Sequence, residues 1–239
     1  MKKLISAVAT MCFVAMTFAV TSAKALDGYG TFRIGAGLNE AVFYGSATET
    51  LKDSGYKTSD EALAPFDYNS VFIEYSADWA YGLTIGYEYA GDSVNLDAAQ
   101  RVLASTPAGG GGDTGNQEID AEFNNLQFTY VQLPIPVIGG GSYVRVGVAE
   151  VELVTLETLA TGSTYPNKTL DGWIFGAGYH GLITEAMGGG LFYRLEANVM
   201  TFDDFKLQGS EVGGTSASYN QIAGEVGGAS AKFAIGYEF

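Results

Sequence analysis

The chain has 239 residues, a formal net charge of −15, a hydrophobic fraction of 47% and a single cysteine. Such an acidic chain excludes nucleic acid as a partner, because phosphates need basic surfaces, and one thiol excludes an internal disulfide or a thiolate metal site. Beyond the N-terminal run no apolar stretch reaches 18 residues, so no helix is expected to cross a membrane, while 33 Gly, 15 Tyr and 14 Phe against 5 Pro point to strands.

Residues 1–25 read as a cleavable secretory signal. Lys2 and Lys3 precede an apolar run from Leu4 to Val20, and Ala23-Lys24-Ala25 is a small-x-small cleavage site. Cys12 leaves with that segment, as do three lysines, which takes the charge of the remaining domain, residues 26–239, to −18. Period-two alternation then recurs. It predicts eight strands, roughly Gly28–Leu38, Tyr68–Ala77, Tyr81–Ala90, Phe123–Leu133, Ser142–Glu150, Gly172–Leu182, Leu191–Phe202 and Ala229–Phe239. Pro134 and Pro136 interrupt the fourth and fifth, since proline cannot lie in a central ladder. The connections alternate long and short, which in an up-and-down meander puts four long loops at one end and three short turns at the other. An all-β, eight-stranded antiparallel transmembrane barrel is the expectation, with the long loops outside the cell and the short turns in the periplasm.

One face of each strand is apolar and aromatic-rich; the other is small or polar. The inward set predicted from this alternation holds four cations, Arg33, Arg145, Arg194 and Lys232, and four anions, Glu74, Glu88, Glu196 and Glu238. A buried charge must pair, so these eight are expected to form a lumen ion-pair network, with Arg33 facing Glu74. Gly35, Gly37, Gly82, Gly86, Gly176, Gly178 and Gly236 fall on the same face and are expected to make room for the long arginines. Tyr81, Trp173, Tyr193, Tyr237 and Phe239 sit near strand ends, as interfacial aromatics do. Most of the remaining acids fall in or beside the four long loops.

The cleavable signal, the eight-strand meander, "YRLEAN" in the seventh strand and the terminal "AKFAIGYEF" together resemble the small OmpA/OmpX-type outer-membrane β-barrel family. The resemblance spans the whole mature chain and lacks a periplasmic peptidoglycan-binding domain. It implies a Gram-negative outer-membrane location. It also implies that Phe233, Ile235, Tyr237 and Phe239 form the sorting signal read by the barrel-assembly machinery. The expected role is structural or surface-interacting, not enzymatic, through acidic loops that meet outer-membrane lipid, lipopolysaccharide or divalent cations. A small-solute channel is the alternative, and a lipid-modifying enzyme the third class. The one histidine, His180, is expected to face the lumen near the periplasmic end. No cofactor is expected. Two acid-aromatic segments, Phe66-Asp67-Tyr68 and Phe202-Asp203-Asp204-Phe205, could offer carboxylates to a cation but lack EF-hand spacing. "GGGGDTG", Gly109 to Gly115, is not a phosphate loop, because no lysine follows.

Overall fold

A computed structural model describes residues 29–50, 57–91, 94–96, 118–135, 140–158, 163–186, 189–211 and 221–239. The expected signal segment, residues 1–25, and the Gly109–Gly115 run lie outside the described residues. Eight long strands form the wall: β1 Gly30–Thr50, β2 Lys57–Ala77, β3 Leu83–Ala90, β4 Glu118–Pro134, β5 Ser142–Thr158, β6 Lys168–Ala186, β7 Gly189–Phe202 and β8 Gln221–Glu238. Each pairs antiparallel with the next, and β8 pairs with β1, so the sheet closes. The closing ladder sets Ile34 opposite Tyr237, and Phe239 N–H donates to Phe32 O at 2.9 Å. Short strands trim the outer end: Val94–Leu96 beside β4, Phe205–Gln208 beside β8, and Ser163–Thr164 paired with Ser210–Glu211.

The register fixes the shape. One row of partners runs Ala36, Val71, Tyr89, Gln127, Glu150, Asp171; it continues through Asp203 and Glu225, which flank paired residues, and returns to β1 at Ser46, ten residues beyond its start. Closure with that stagger requires strands tilted by about 35–45° from the barrel axis. Neighbouring residues of one row therefore stand at rising heights around the wall.

The strands run further than the alternation predicted. β1 continues twelve residues past Leu38 and β2 begins at Lys57 rather than Tyr68, so the expected first long loop is mostly wall. β4, β5, β6 and β8 also extend outward. At the periplasmic end the difference is smaller. Tyr81 and Gly82 belong to the turn after a short 3-10 segment, Asp78–Ala80, with φ of 58° and 79°, rather than to β3. Glycine at 82 accepts the left-handed backbone without a side-chain penalty.

The reason for the extra length is a reversal of polarity along single strands. On the lower part of β2, Tyr75, Ile73 and Val71 point out while Ser76, Glu74 and Ser70 are buried. Further up, Asn69, Asp67 and Glu61 point out, and Tyr68 and Phe66 point in. β5 does the same: Val144, Val146 and Val148 outside with Arg145 inside, then Glu150 outside with Ala149, Val151 and Leu153 inside. On β7, Leu195, Ala197 and Val199 cover Arg194, Glu196 and Asn198, and then Met200 and Phe202 turn inward. The lower wall is thus apolar outside and polar inside, as lipid demands. The upper wall is largely polar outside and apolar inside, as water demands. Its interior is one cluster built on Phe43, Phe123, Phe128, Val151, Ile174 and Phe202.

Candidate functional site in the barrel lumen

The structure brings all eight inward charges into ion pairs. Arg145 Nη1 donates to Glu88 Oε2 at 2.8 Å and to Glu196 Oε1 at 2.6 Å. Lys232 Nζ meets the same two oxygens at 2.9 and 2.8 Å. Four side chains from β3, β5, β7 and β8 therefore form a closed square of alternating sign across the lumen, with side-chain exposures of 0–2%. Below it, Arg194 Nη1 and Nη2 bind Glu74 with both nitrogens, at 2.7 and 2.6 Å. Such bidentate pairing fixes geometry as well as charge. Lowest is Arg33, whose Nε donates to Glu238 at 3.0 Å at the periplasmic mouth.

Arg33 and Glu74 are indeed backbone partners in register, but their side chains do not pair. Glu74 reaches across to Arg194 on β7, and Arg33 turns to Glu238 on the closing strand. Two cations compete for one carboxylate, and the arginine with a planar fork aligned to both oxygens takes it.

Neutral partners that the sequence reading left out complete the network. Tyr130 Oη and Gln132 Nε2 donate to Glu74 at 2.6 and 3.0 Å. Tyr143 Oη donates to Glu196 at 2.6 Å, and Ser70 Oγ to Glu88 at 2.6 Å. Asn198 Nδ2 donates to Glu196 at 3.0 Å, and Asn39 Nδ2 to Ser70 at 3.0 Å. All sit in the same inward phase as the charges, and carrying the period-two count through the fourth and fifth strands would have found Tyr130, Gln132 and Tyr143.

Four of the inward glycines serve aromatic rings rather than arginines directly, while Gly37 faces Lys232 and Ser70, and Gly176 faces Asn198. Gly35 is the register partner of Phe72, Gly86 of Tyr130, Gly178 of Tyr143 and Gly236 of Phe192. In each case a Cβ would come within 2.3–2.5 Å of the partner ring. The rings then hold the guanidinium groups. Arg145 lies 3.7 Å over Tyr130, and Arg194 lies 4.5 Å over Phe72 with Tyr143 and Phe192 at 5.6 Å. Each stack adds cation–π attraction to a buried guanidinium.

His180 faces the lumen beside its register partner Arg194, with Tyr143 and Phe192 rings 6.2 and 6.3 Å away. Its Nδ1 has no hydrogen-bond partner among the described residues. In the two acid-aromatic segments the rings of Phe66, Tyr68, Phe202 and Phe205 turn inward while Asp67, Asp203 and Asp204 are exposed. Among the described residues no three His, Cys, Asp or Glu side chains gather in a metal-holding group. Of the terminal set, Phe233 and Ile235 are exposed on the lipid-facing wall, and the Tyr237 and Phe239 rings meet at 4.9 Å.

No family model matches the sequence, and no curated protein matches it either. Solved structures do match. The outer membrane protein OprG from Pseudomonas aeruginosa aligns with a TM-score of 0.50 at 14% identity, over 88% of this chain and 96% of its own. The outer membrane protease OmpT from Escherichia coli aligns with a TM-score of 0.50 at 9% identity, over 87% of this chain and 97% of its own. These likenesses show the fold, that of a Gram-negative outer-membrane β-barrel.

Proposed function

We propose that this outer-membrane β-barrel is a sealed, non-catalytic scaffold whose upper half stands above the lipid as a surface for interaction. The observation that carries the reading is the reversal of wall polarity. Where side chains turn polar outside and apolar inside, the surrounding medium has changed from lipid to water. β1 continues from Glu40 to Thr50 beyond that level, a rise of about 25 Å for a tilted strand. A protein that builds this much wall outside the membrane, with its own dry core, presents area rather than a pore. Two stacked fillings support a closed lumen: the charge square and bidentate pair below, the aromatic cluster above. Lipopolysaccharide and other outer-leaflet lipid are the nearest partners for that wall, and the barrel-assembly machinery is the partner during biogenesis. Divalent cations could join through the exposed carboxylates.

The test is planar-bilayer recording of the purified chain. A silent bilayer, also after Glu88→Gln, is the expected result. Reproducible unitary steps that Glu88→Gln or Lys232→Met alters would replace this reading with the small-solute channel. That second reading draws on one feature: both cations of the square touch both anions, so the pairs could exchange partners without losing contact.

A further inference from the structure

The outer wall carries a groove of about 780 Å³ across β6, β7, β8 and β1. Its floor includes one row of register partners, Ala177, Ala197 and Ala231, all exposed. Their neighbours along the strands are larger. Phe175 and Tyr179 flank Ala177, and Leu195 and Val199 flank Ala197, again all exposed. Alanine carries nothing beyond Cβ, so the sheet lies nearly bare between banks of large apolar groups.

The row does not end on alanine. Its next partner is Glu40, which also lines the groove, and the one after is Asp67; both are exposed. Rows of this barrel climb outward from β6 through β8 to β1. The alanines are therefore the deep end of the groove, and the carboxylates stand at its shallow end, where the wall leaves hydrocarbon. Three interstrand spacings, roughly 14 Å, separate Ala177 from Glu40. Like charges directly opposite on a ladder repel, and among the described residues no cation pairs with Glu40 or Asp67. The shallow end thus calls for a positive charge. A calcium ion takes about six to eight oxygens, and among the described residues no third acid joins this pair in a metal-holding group. A primary ammonium needs fewer acceptors, and it can arrive on an acyl chain.

We propose that this groove seats one phospholipid whose headgroup ends in a primary ammonium. Its chain lies along Ala177, Ala197 and Ala231, and its nitrogen stands between Glu40 and Asp67. Membrane lipid already surrounds this wall, so hydrocarbon is the occupant at the deep end, and the charge at the shallow end selects the headgroup. N–H donors to carboxylates make charge-assisted hydrogen bonds, which a quaternary ammonium cannot. The inference rests on the lipid contact in the surface-interaction reading and names the class of lipid.

The full chain is placed in phosphatidylcholine nanodiscs holding a small share of phosphatidylethanolamine with the same acyl chains, and the lipid retained is counted by native mass spectrometry. The two lipids share net charge and phosphate and differ in N–H donors. Phosphatidylethanolamine should be enriched about tenfold over its share of the disc, the worth of one hydrogen bond to a charged group. Glu40→Gln with Asp67→Asn should abolish the enrichment. Ala197→Phe should abolish it too, by filling the floor while both acids remain. Heat-dependent gel mobility verifies that the variants fold. Should they not fold, the wild-type chain is scored with N-acetyl phosphatidylethanolamine, which keeps the chains and phosphate without the ammonium and must not be enriched. Retention at the bulk ratio, enrichment that survives in either folded variant, enrichment of the N-acetyl lipid, or enrichment that EDTA abolishes would overturn the site; the last would indicate a metal bridge. Bilayer recordings keep the two readings apart. A silent barrel without enrichment sinks the groove alone, and a conducting barrel with enrichment sinks the sealed scaffold alone.

Discussion

The lower and upper halves of this barrel share strands, register and side-chain period, yet their chemistries are opposite. In the lower half Arg145, Arg194, Glu74, Glu88, Glu196 and Lys232 fill an interior wrapped in valine, leucine and isoleucine. In the upper half Phe43, Phe123, Val151 and Phe202 fill an interior wrapped mostly in polar and acidic side chains. The comparison separates what a wall does from what its filling does. The hydrogen-bonded ladder is common to both and indifferent to the medium. The filling is whatever the outer face is not. Burial of the upper aromatic and aliphatic groups contributes roughly 1.5–3 kcal/mol per side chain. The buried ion pairs below contribute little net stability, because desolvation offsets attraction, but they penalise any state that separates them.

Breaking one ion partner should therefore cost more than its presence contributes. Arg194→Met strands Glu74 among Tyr130, Gln132 and the rings, and should cost about 3–5 kcal/mol in reversible urea unfolding from lipid vesicles. Adding Glu74→Leu should recover most of that loss, and a double variant as unstable as the single would mean the pair itself is worth more than this account allows. In the upper half Phe43→Ala should cost about 3 kcal/mol with no such rescue, since it leaves a cavity rather than a charge. Gly86→Ala tests the fit between halves of a register pair. Its Cβ would lie 2.5 Å from the Tyr130 ring, so a loss of about 2 kcal/mol is expected, and Tyr130→Phe should not relieve it. Tyr143→Phe removes one donor from Glu196 and should cost about 1.5 kcal/mol by the same unfolding measurement. Smallest is Arg33→Ala at the mouth, where side-chain exposures of 11% and 27% admit water, and about 1 kcal/mol or less is expected.

Much of the lower half was legible in the sequence because alternation is visible only when the two faces of a strand differ. "YGLTIGYEYA" and "AKFAIGYEF" differ sharply, so the inward charges could be read from spacing alone. The outer stretch of β1, "AVFYGSATET", places Val42, Phe43 and Tyr44 side by side; its inner face is apolar and its outer face mixed, so the contrast vanishes and the segment passes for a loop. Partner choice was not legible either. Alternation gives each charge a face and a height, but which carboxylate Arg33 or Arg194 reaches depends on the curvature of a closed sheet. The bulge at Asn125, where the ladder between β4 and β5 slips and φ is 56°, was hidden for another reason. A single extra residue leaves no mark in a period-two count.

The reversal of polarity also makes the wall a depth gauge. Sliding the barrel outward by one residue pair would lift Ile73, Val146 and Leu195 toward water, and sliding it inward would push Glu40, Asp67 and Glu150 into hydrocarbon. Both directions are uphill, so the vertical position in the bilayer is pinned from two sides. A membrane of different thickness would have to bend its own surface to meet this protein, because the protein has no freedom to move to meet it.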